Sequence, residues 1–433
     1  MLEKTYTAIG GPDTDLNDSD LKSLFIDALS SAIADIKNSG KVIILPPDIT
    51  RFHSKAGFFT EAASQYLDDK LGAVLPALGT HAAMTDAEIT KMFASTPKDK
   101  FLVHDWRDGI TELGRIEASW VEKITQGAVS YDWPVQVNKI LKKDNGNFSL
   151  ALSIGQVVPH EVAGMANHAK NIFVGTGGKE AIDKSHFAGA SFGMEKIMGR
   201  PDNPVRILFD EGLNRFGKML PPILWVLTVI GARADGTLAV RGLFIGFGRE
   251  CFEKASDLSQ KINVNLMEEP VNKAVVYLEP DEYRTTWLGN KAIYRTRMVI
   301  TDGGELLIMA PALERFGEDT GIDALIRKHG YRPAKEILAK AASDAELGGN
   351  LSAAAHLIHG SSEGRFTVRY CPGGKVTKEE IESVGFEWGS LEEAQTHYDI
   401  NKLKSGWNSM PDGERIFFVP NPALGLWAEK QRF

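Results

Sequence analysis

The chain reads as an α/β protein of two α/β domains, with a mainly parallel sheet in the larger N-terminal domain and an active site expected in the interdomain cleft. Three observations lead there. Runs of helical period alternate with short, continuously apolar runs of strand length, as parallel strands covered by helices do. The 433 residues exceed what a single core usually holds. Residues able to do chemistry fall just after the strand-like runs, and open α/β sheets bind ligands beyond the carboxyl ends of their strands.

The elements follow in order. Leu21, Leu24, Phe25, Ala28, Leu29, Ala32, Ile33 and Ile36 recur at helical spacing, and Gly40 ends the run. Lys41–Leu45 predicts a buried strand stopped by Pro46-Pro47, and Ala73–Leu78 a second, broken at Pro76 and followed by Gly79-Thr80-His81. Thr85 with Glu88 forms a capping box that opens the next helix. Phe101–His104 and Leu150–Ile154 read as further buried strands, and Val226–Val240 as a hairpin around Asp235-Gly236. Beyond these, Ala274–Leu278, Arg297–Thr301, Glu305–Ala310 and Arg365–Tyr370 predict strands, with Asp302-Gly303-Gly304 as a turn. Helices are expected over Ile322–Lys328, Ala334–Ala342, Leu351–His359 and Lys378–Val384. The domains are therefore expected at 1–267 and 268–412, with 413–433, including the strand-like Ile416–Val419, returning to the first.

Composition narrows the function. A net charge of -8 argues against a nucleic-acid partner, while leaving room for a local pocket that takes a small anion. Cys251 and Cys371 are the only cysteines and lie far apart, so neither a disulfide framework nor a thiolate cluster is expected. The first ten residues lack the basic and apolar regions of a signal peptide, and the apolar run Leu220–Ala232 is too short to span a bilayer. A cytoplasmic protein without a membrane partner is the expectation.

Residues 151–189 hold most of the chemistry. They place His160, Lys170 and His186 among strand-like runs and five glycines that let backbone approach a bulky ligand. Imidazole moves protons or binds metals near neutral pH, and a loop lysine can form covalent adducts. Each has a plainer reading: His160 as a turn cap after Pro159, Lys170 as a solvated loop residue, His186 as a polar group beside a helix. Asp48 and Arg51 are spaced to pin a strand-to-helix turn, although Arg also forks a carboxylate well. His81 sits at a strand end, where it is either a ligand-facing group or one satisfied by backbone. His356 and His359 share a helix face without a supporting carboxylate or thiolate and read as structural. Gly246-Phe247-Gly248 lacks the third glycine of a dinucleotide fingerprint.

Together these residues resemble the nickel-pincer lactate racemases. The resemblance lies in Pro159-His160, Gly164, Lys170-Asn171-Ile172, the Gly175–Gly178 turn and His186, preceded in order by Asp48-Ile49-Thr50-Arg51 and Gly79-Thr80-His81. It covers most of the first 190 residues well and the remainder loosely. It implies a racemase or epimerase of 2-hydroxy acids, supplied by cofactor-biosynthesis enzymes with a pyridinium-3-thioamide-5-thiocarboxylic acid mononucleotide carrying nickel. By the same resemblance Lys170 tethers that cofactor and His186 binds the nickel. His81 and His160 become paired acid/base groups, while Asp48, Arg51 and Lys291 bind substrate.

The sequence departs from that pattern at two places. Ala166-Asn167-His168-Ala169 stands where the family has a glycine-rich run, which should change how closely backbone approaches the cofactor. Leu288 stands where the family has Gln, three residues before Lys291. With Arg284, Arg295, Arg297, His53 and His168 near the motifs, the substrate is expected to be larger than lactate, an aldonic or dicarboxylic hydroxy acid. Two other classes stay open: a non-catalytic two-domain binding protein for a nucleotide-like or sugar-acid ligand, and a metallohydrolase using His160 and His186.

Overall fold

In the computed structural model, which describes residues 3–37, 40–233, 235–423 and 425–433, the chain divides into two units. The first comprises Met1–Ala188 and Ile197–Asn263, the second Gly189–Lys196 and Val264–Phe433.

The strands of the first unit are β1 (Lys4–Gly10), β2 (Lys41–Leu45), β3 (Leu71–Val74), β4 (Ile110–Ile116), β5 (Trp133–Asn138), β6 (Phe148–Gln156), β7 (Pro159–His160), β8 (Gly164–Met165), β9 (Ile223–Ala232) and β10 (Leu238–Phe247). Six form one sheet in the order β1-β10-β9-β6-β2-β3. β3, β2, β6 and β9 are parallel; the hairpin β9–β10 and then β1 add antiparallel strands. β2 and β6 are apolar on both faces because both are covered. The helix Asp18–Ile36 buries Leu21, Phe25, Ala28, Leu29 and Ala32 on one stripe, and Asn17 caps it by accepting from Asp20 N at 3.0 Å. Phe25 meets Phe59 of the helix Ala56–Leu67 edge to face at 5.1 Å. Both rings are fully buried, and truncating either to Ala would cost roughly 3–5 kcal/mol. The Thr85–Glu88 capping box is present at the start of the helix Asp86–Phe93.

Two strand expectations are corrected here. Phe101–His104 is no buried strand: it makes only a single bridge, Phe101 to Val74, and Val103 is 66% exposed. The Ala73–Leu78 strand ends at Val74, because Pro76 has no N–H to continue the ladder.

The second unit carries β11 (Val264–Met267), β12 (Val271–Tyr277), β13 (Ile300–Ala310), β14 (Thr367–Pro372), β15 (Glu387–Trp388), β16 (Gly406–Ser409), β17 (Arg415–Val419) and β18 (Leu426–Glu429). Its main sheet runs β15-β14-β13-β12-β17-β16, parallel except for β16. Asp302-Gly303-Gly304 does not separate two strands. It is an irregularity inside β13, where Gly303 takes φ +80 and the register against β12 shifts. The expected return of 413–433 to the first domain is also corrected. Ile416–Val419 lies in β17, beside β12 in the second unit's own sheet, and β18 pairs with β11. Among the described residues no helix is long and apolar enough to cross a membrane.

Candidate active site

β2, β3 and β6 are adjacent and parallel, so their carboxyl ends lie along one edge of the sheet. The chain leaving β2 turns at once into a 3-10 helix, Ile49–Ser54, capped by Asp48. Asp48 accepts from Thr50 N at 3.1 Å and Thr50 Oγ1 at 2.5 Å, which aims its other oxygen at His81, leaving β3, with 2.6 Å to Nδ1. Burial works to raise this carboxyl, yet His81, Thr50 and Arg51 outweigh it and hold it at about 2. Asp48 is thus a buried carboxylate anion. It keeps the proton of His81 on Nδ1 and leaves Nε2 with a lone pair on the half-exposed ring.

After β6 the short ribbon β7–β8 reverses the chain, with Pro159 opposite Met165 and His160 opposite Gly164. Gly164 takes φ +73, and a Cβ there would lie 1.9 Å from Arg200 O, so only glycine closes this turn. His160 is buried, and its Nδ1 accepts from Val162 N at 3.1 Å and Ala163 N at 3.4 Å. The turn-capping bonds of the plainer reading are therefore real, and they occupy only one side of the ring. Burial holds His160 well below its usual value, with Glu161 opposing and Lys170, Arg51 and His186 adding to the shift.

Lys170 precedes a π-helical turn, Asn171–Gly175. Asn171 Nδ2 donates to Leu45 O at 3.2 Å and Ser153 Oγ at 2.9 Å, which ties this turn to the ends of β2 and β6. Gly79 N donates to Gly175 O at 2.9 Å and anchors the His81 loop to the same turn. Lys170 makes no hydrogen bond or ion pair among the described residues. Burial and then Arg51 pull its amine down to about 8, against Glu161 and Asp48. The Arg51 guanidinium is likewise without a hydrogen bond or ion pair among the described residues, while its backbone N–H donates to Asp48 O at 3.0 Å.

His186 lies on the helix Lys179–Phe192, where its Nδ1–H donates to Ile182 O at 2.7 Å. Nε2 is therefore the lone-pair nitrogen, the form that ligates a metal. Burial lowers its proton affinity and Lys170 lowers it further. The mutual effects of Asp48, Arg51, His160, Lys170 and His186 place five of the expected residues in one electrostatic neighbourhood, with His81 bonded to Asp48. Lys291 belongs to the second unit, at the start of the helix Lys291–Thr296, with its ammonium 5.6 Å from the Tyr283 ring.

Two residues of this neighbourhood escape a reading of the sequence. Glu161 is the acid whose charge supports both Lys170 and His186. Its one sequence signal is that it directly follows Pro159-His160. Arg206, fully buried, donates to Met165 O and, at 3.1 Å, to Asn167 O, so it props up the loop leading to Lys170. Nothing in the sequence near Lys170 points to a residue so far along the chain.

The run without glycines also behaves differently from expectation. Asn167 and His168 take φ +66 and +54, in the left-handed region that glycine favours. The strained backbone is held from both sides: His168 N donates to Asn167 Oδ1 at 2.7 Å, and the His168 ring packs against Trp225 at 4.2 Å and Phe252 at 5.0 Å. His168 is thus a core residue. Arg295 is fully buried, and Arg297 pairs with Glu195 at 2.9 Å within the second unit. Among the described residues no group of three or more His, Cys, Asp or Glu is placed to hold a metal, and the Nδ1 bonds of His160 put its proton on Nε2.

The family model of the lactate racemase N-terminal domain matches residues 23–197. No curated protein matches the chain. Among solved structures, a Thermotoga maritima protein from the Northeast Structural Genomics Consortium superposes with a TM-score of 0.78 at 24% identity, covering 97% of this chain and 99% of its own. The lactate racemase apoprotein from Thermoanaerobacterium thermosaccharolyticum superposes with a TM-score of 0.68 at 15% identity, covering 98% of this chain and 100% of its own. These likenesses establish the fold.

Proposed function

We propose that this chain, whose residues 23–197 carry a lactate racemase-like N-terminal domain, inverts the C2 carbon of a 2-hydroxy acid with a nickel-pincer nucleotide tethered to Lys170. The observation that carries the reading is the pair formed by Lys170 and His186. One is an amine held at about 8 with no partner among the described residues; the other is an imidazole whose Nδ1–H is committed to Ile182 O. An amine with a depressed pKa is nucleophilic near neutral pH, and a neutral imidazole with a fixed tautomer is a ready metal ligand. Both fit the nucleotide: Lys170 would bind its carboxyl-derived group and His186 its nickel.

The α-hydrogen of a hydroxy acid is weakly acidic, so inversion by proton abstraction is costly. When bound, the cofactor supplies a place for a hydride to go and return from. Arg51 holds the substrate carboxylate through its forked guanidinium. The Asp48–His81 dyad takes the hydroxyl proton at Nε2, and His160 meets the substrate from β7. The substrate we propose is larger than lactate, an aldonic or dicarboxylic hydroxy acid. Leu288 stands where the family has Gln, and Arg284 is exposed close to it in sequence, whereas His168, Arg295 and Arg297 are buried.

Protein produced together with cofactor-biosynthesis enzymes and nickel should show a covalent adduct on Lys170 by mass spectrometry. It should interconvert the enantiomers or epimers of a 2-hydroxy acid by chiral chromatography. An unmodified, metal-free chain under those conditions would favour the binding-protein reading, and faster turnover of lactate than of every larger acid would overturn the substrate assignment.

A further inference from the structure

Nothing at the tip of the Lys170 side chain fixes it, since the amine makes no hydrogen bond or ion pair among the described residues. Its aim is therefore set by the backbone that carries it. That backbone enters through residues 163–168, and alternate carbonyls of this segment are taken by the start of one helix, Pro204–Phe216. Asn203, the cap of the helix, donates from Nδ2 to Ala163 O at 3.1 Å. Arg206, in the first turn, donates to Met165 O and, at 3.1 Å, to Asn167 O. Asn171 N then donates to His168 O at 2.8 Å, on the far side of Lys170. Asn167 and His168 stand here at φ +66 and +54, a conformation that has to be held in place wherever the residue is not glycine.

We propose that Arg206 is the positioning residue for Lys170: by holding Met165 O and Asn167 O it keeps the amine out of ion pairs with the carboxylates of the site, and so keeps it reactive. This rests on the reading of Lys170 as the reactive amine. A plainly structural role does not call for a cation. Arg206 is 0% exposed, makes no ion pair among the described residues, and sets its guanidinium 4.4 Å from the centre of the Phe252 ring. Burial pulls it down to about 9, so it still carries its charge at neutral pH. Burying an unpaired cation is costly. The guanidinium supplies two things that a neutral side chain of its size does not. Its rigid fork reaches two carbonyls at once, and its charge opposes a second one on Lys170.

Around the Lys170 amine, Arg51 and Arg206 act against protonation, while Glu161 and Asp48 act for it. His160 and His186 face the same place and are both held below their usual values, so they add no charge at neutral pH. Lys170 thus sits among two cations and two acids and bonds to none of them. A lysine stem is long and flexible. Without Arg206, the segment from Met165 to Asn167 loses both donors and its left-handed residues relax. The ammonium is then free to settle against Glu161 and keep its proton. Loss of Arg206 should therefore leave a folded protein whose Lys170 behaves as an ordinary lysine.

The test uses the unloaded protein and reductive methylation by formaldehyde and cyanoborohydride, which reads the neutral amine at each pH. Peptide mass spectrometry compares Lys170 with the exposed Lys335 of the same sample. In the wild-type protein Lys170 should react faster than Lys335 at pH 7, with a midpoint near pH 8. Arg206→Met should slow Lys170 by about tenfold or more at pH 7 and move the midpoint upward, as follows when the amine holds its proton about tenfold more tightly. Arg206→Lys keeps the charge and one carbonyl contact, so its profile should lie between the two. His356→Ala, which loosens the core of the second unit, should leave the Lys170 profile where it is. Wild-type rate and midpoint in Arg206→Met would overturn the proposal. Equal slowing in His356→Ala would overturn it too, since lost stability alone would then be the cause. If Arg206→Met does not fold, Arg206→Lys carries the test, and a wild-type profile there has the same meaning. Wild-type protein made with nickel and cofactor-biosynthesis enzymes that carries no adduct, while Arg206→Met still slows Lys170, would instead overturn the cofactor reading and leave Arg206 in its role.

Discussion

In the second unit, the buried polar side chains around His356 end on one another. His356 meets the hydroxyls of Tyr294 and Tyr331, each at 2.9 Å, and Tyr370 donates to Asn290 Oδ1 at 2.7 Å. In the first unit, by contrast, the side chains of Lys170 and Arg51 make no hydrogen bond or ion pair among the described residues, and burial pulls Lys170 down to about 8. A buried polar network whose members satisfy each other fixes a core. Polar groups positioned by a scaffold but left without partners lower its stability until something binds, and such groups mark a site. The two histidine-bearing regions look alike in sequence and differ in this respect: His356 is bonded at both nitrogens, while His186 is bonded at one.

The sharpest way to break that comparison is to remove one group from each side. Lys170→Ala should abolish both covalent adduct and activity while leaving the fold intact. His356→Ala should leave adduct formation intact and cost stability, about 1–3 kcal/mol for the hydrogen bonds lost in the core. Intact-mass analysis and urea unfolding of both variants separate the two outcomes. An active Lys170→Ala protein would sink the tether. Within the first unit, His186→Ala should lose nickel more readily than it loses the adduct.

Next in size is the proton. His81→Ala should lower kcat by roughly 10²–10⁴ in both directions, since every inversion passes through it. Solvent deuterium should not enter C2, because the hydrogen there is carried and returned as hydride. Stoichiometric deuteration of C2 would indicate proton abstraction instead.

How much of this is legible in the sequence depends on whether the signal is local. β2, β6 and the β9–β10 hairpin announce themselves because both faces are covered and their side chains are continuously apolar. β1, β4 and β5 do not: β1 is a largely exposed edge strand, and β4 mixes charged and apolar residues in a two-stranded ribbon with β5. Phe101–His104 misleads in the other direction, since an apolar run says nothing about whether a neighbour covers it. At the site, Asp48, Arg51, His81, His160, Lys170 and His186 are visible as short motifs at predicted strand ends. Arg206 is invisible because its contact with the Lys170 loop exists only after folding. The tautomer of His160 is invisible for the same reason: it depends on two backbone hydrogens, which every residue but proline carries.

A smaller effect follows from the Lys170 amine. Well below pH 8 the neutral amine falls about tenfold for each pH unit, so tether formation should be about fiftyfold slower at pH 6 than at pH 8, with about a twofold gain above. The sign follows from the direction of the shift: the folded pocket disfavours the charged form, so the nucleophile is present from about pH 8 upward. The pH profile of adduct formation reads this directly, and a profile still rising at pH 10 would mean that the pocket does not depress Lys170.

The smallest effect compares two carboxylates held at about 2, one in each unit. Asp48 is buried and bound by His81 and Thr50; Asp344 is on the surface, bound first by Lys328 and capping the helix Ala345–Gly348. Each is depressed in the folded state, so its contribution is present above the ordinary carboxyl value and is lost as pH falls through about 2. For Asp48 the shift from 3.8 corresponds to roughly 2–3 kcal/mol. Salt distinguishes the two, because exposed pairs are screened and buried ones much less so. At pH 6, Asp48→Asn should lower stability to urea by a similar amount in 0.05 M and in 1 M salt (about a twentyfold range), with both concentrations on either side of the physiological ~0.15 M. Asp344→Asn keeps the cap, and its effect should shrink toward nothing at the higher salt. Equal salt sensitivity of the two variants would mean that Asp48 is open to solvent and that the dyad with His81 is a surface pair, which would remove the base from the proposed site.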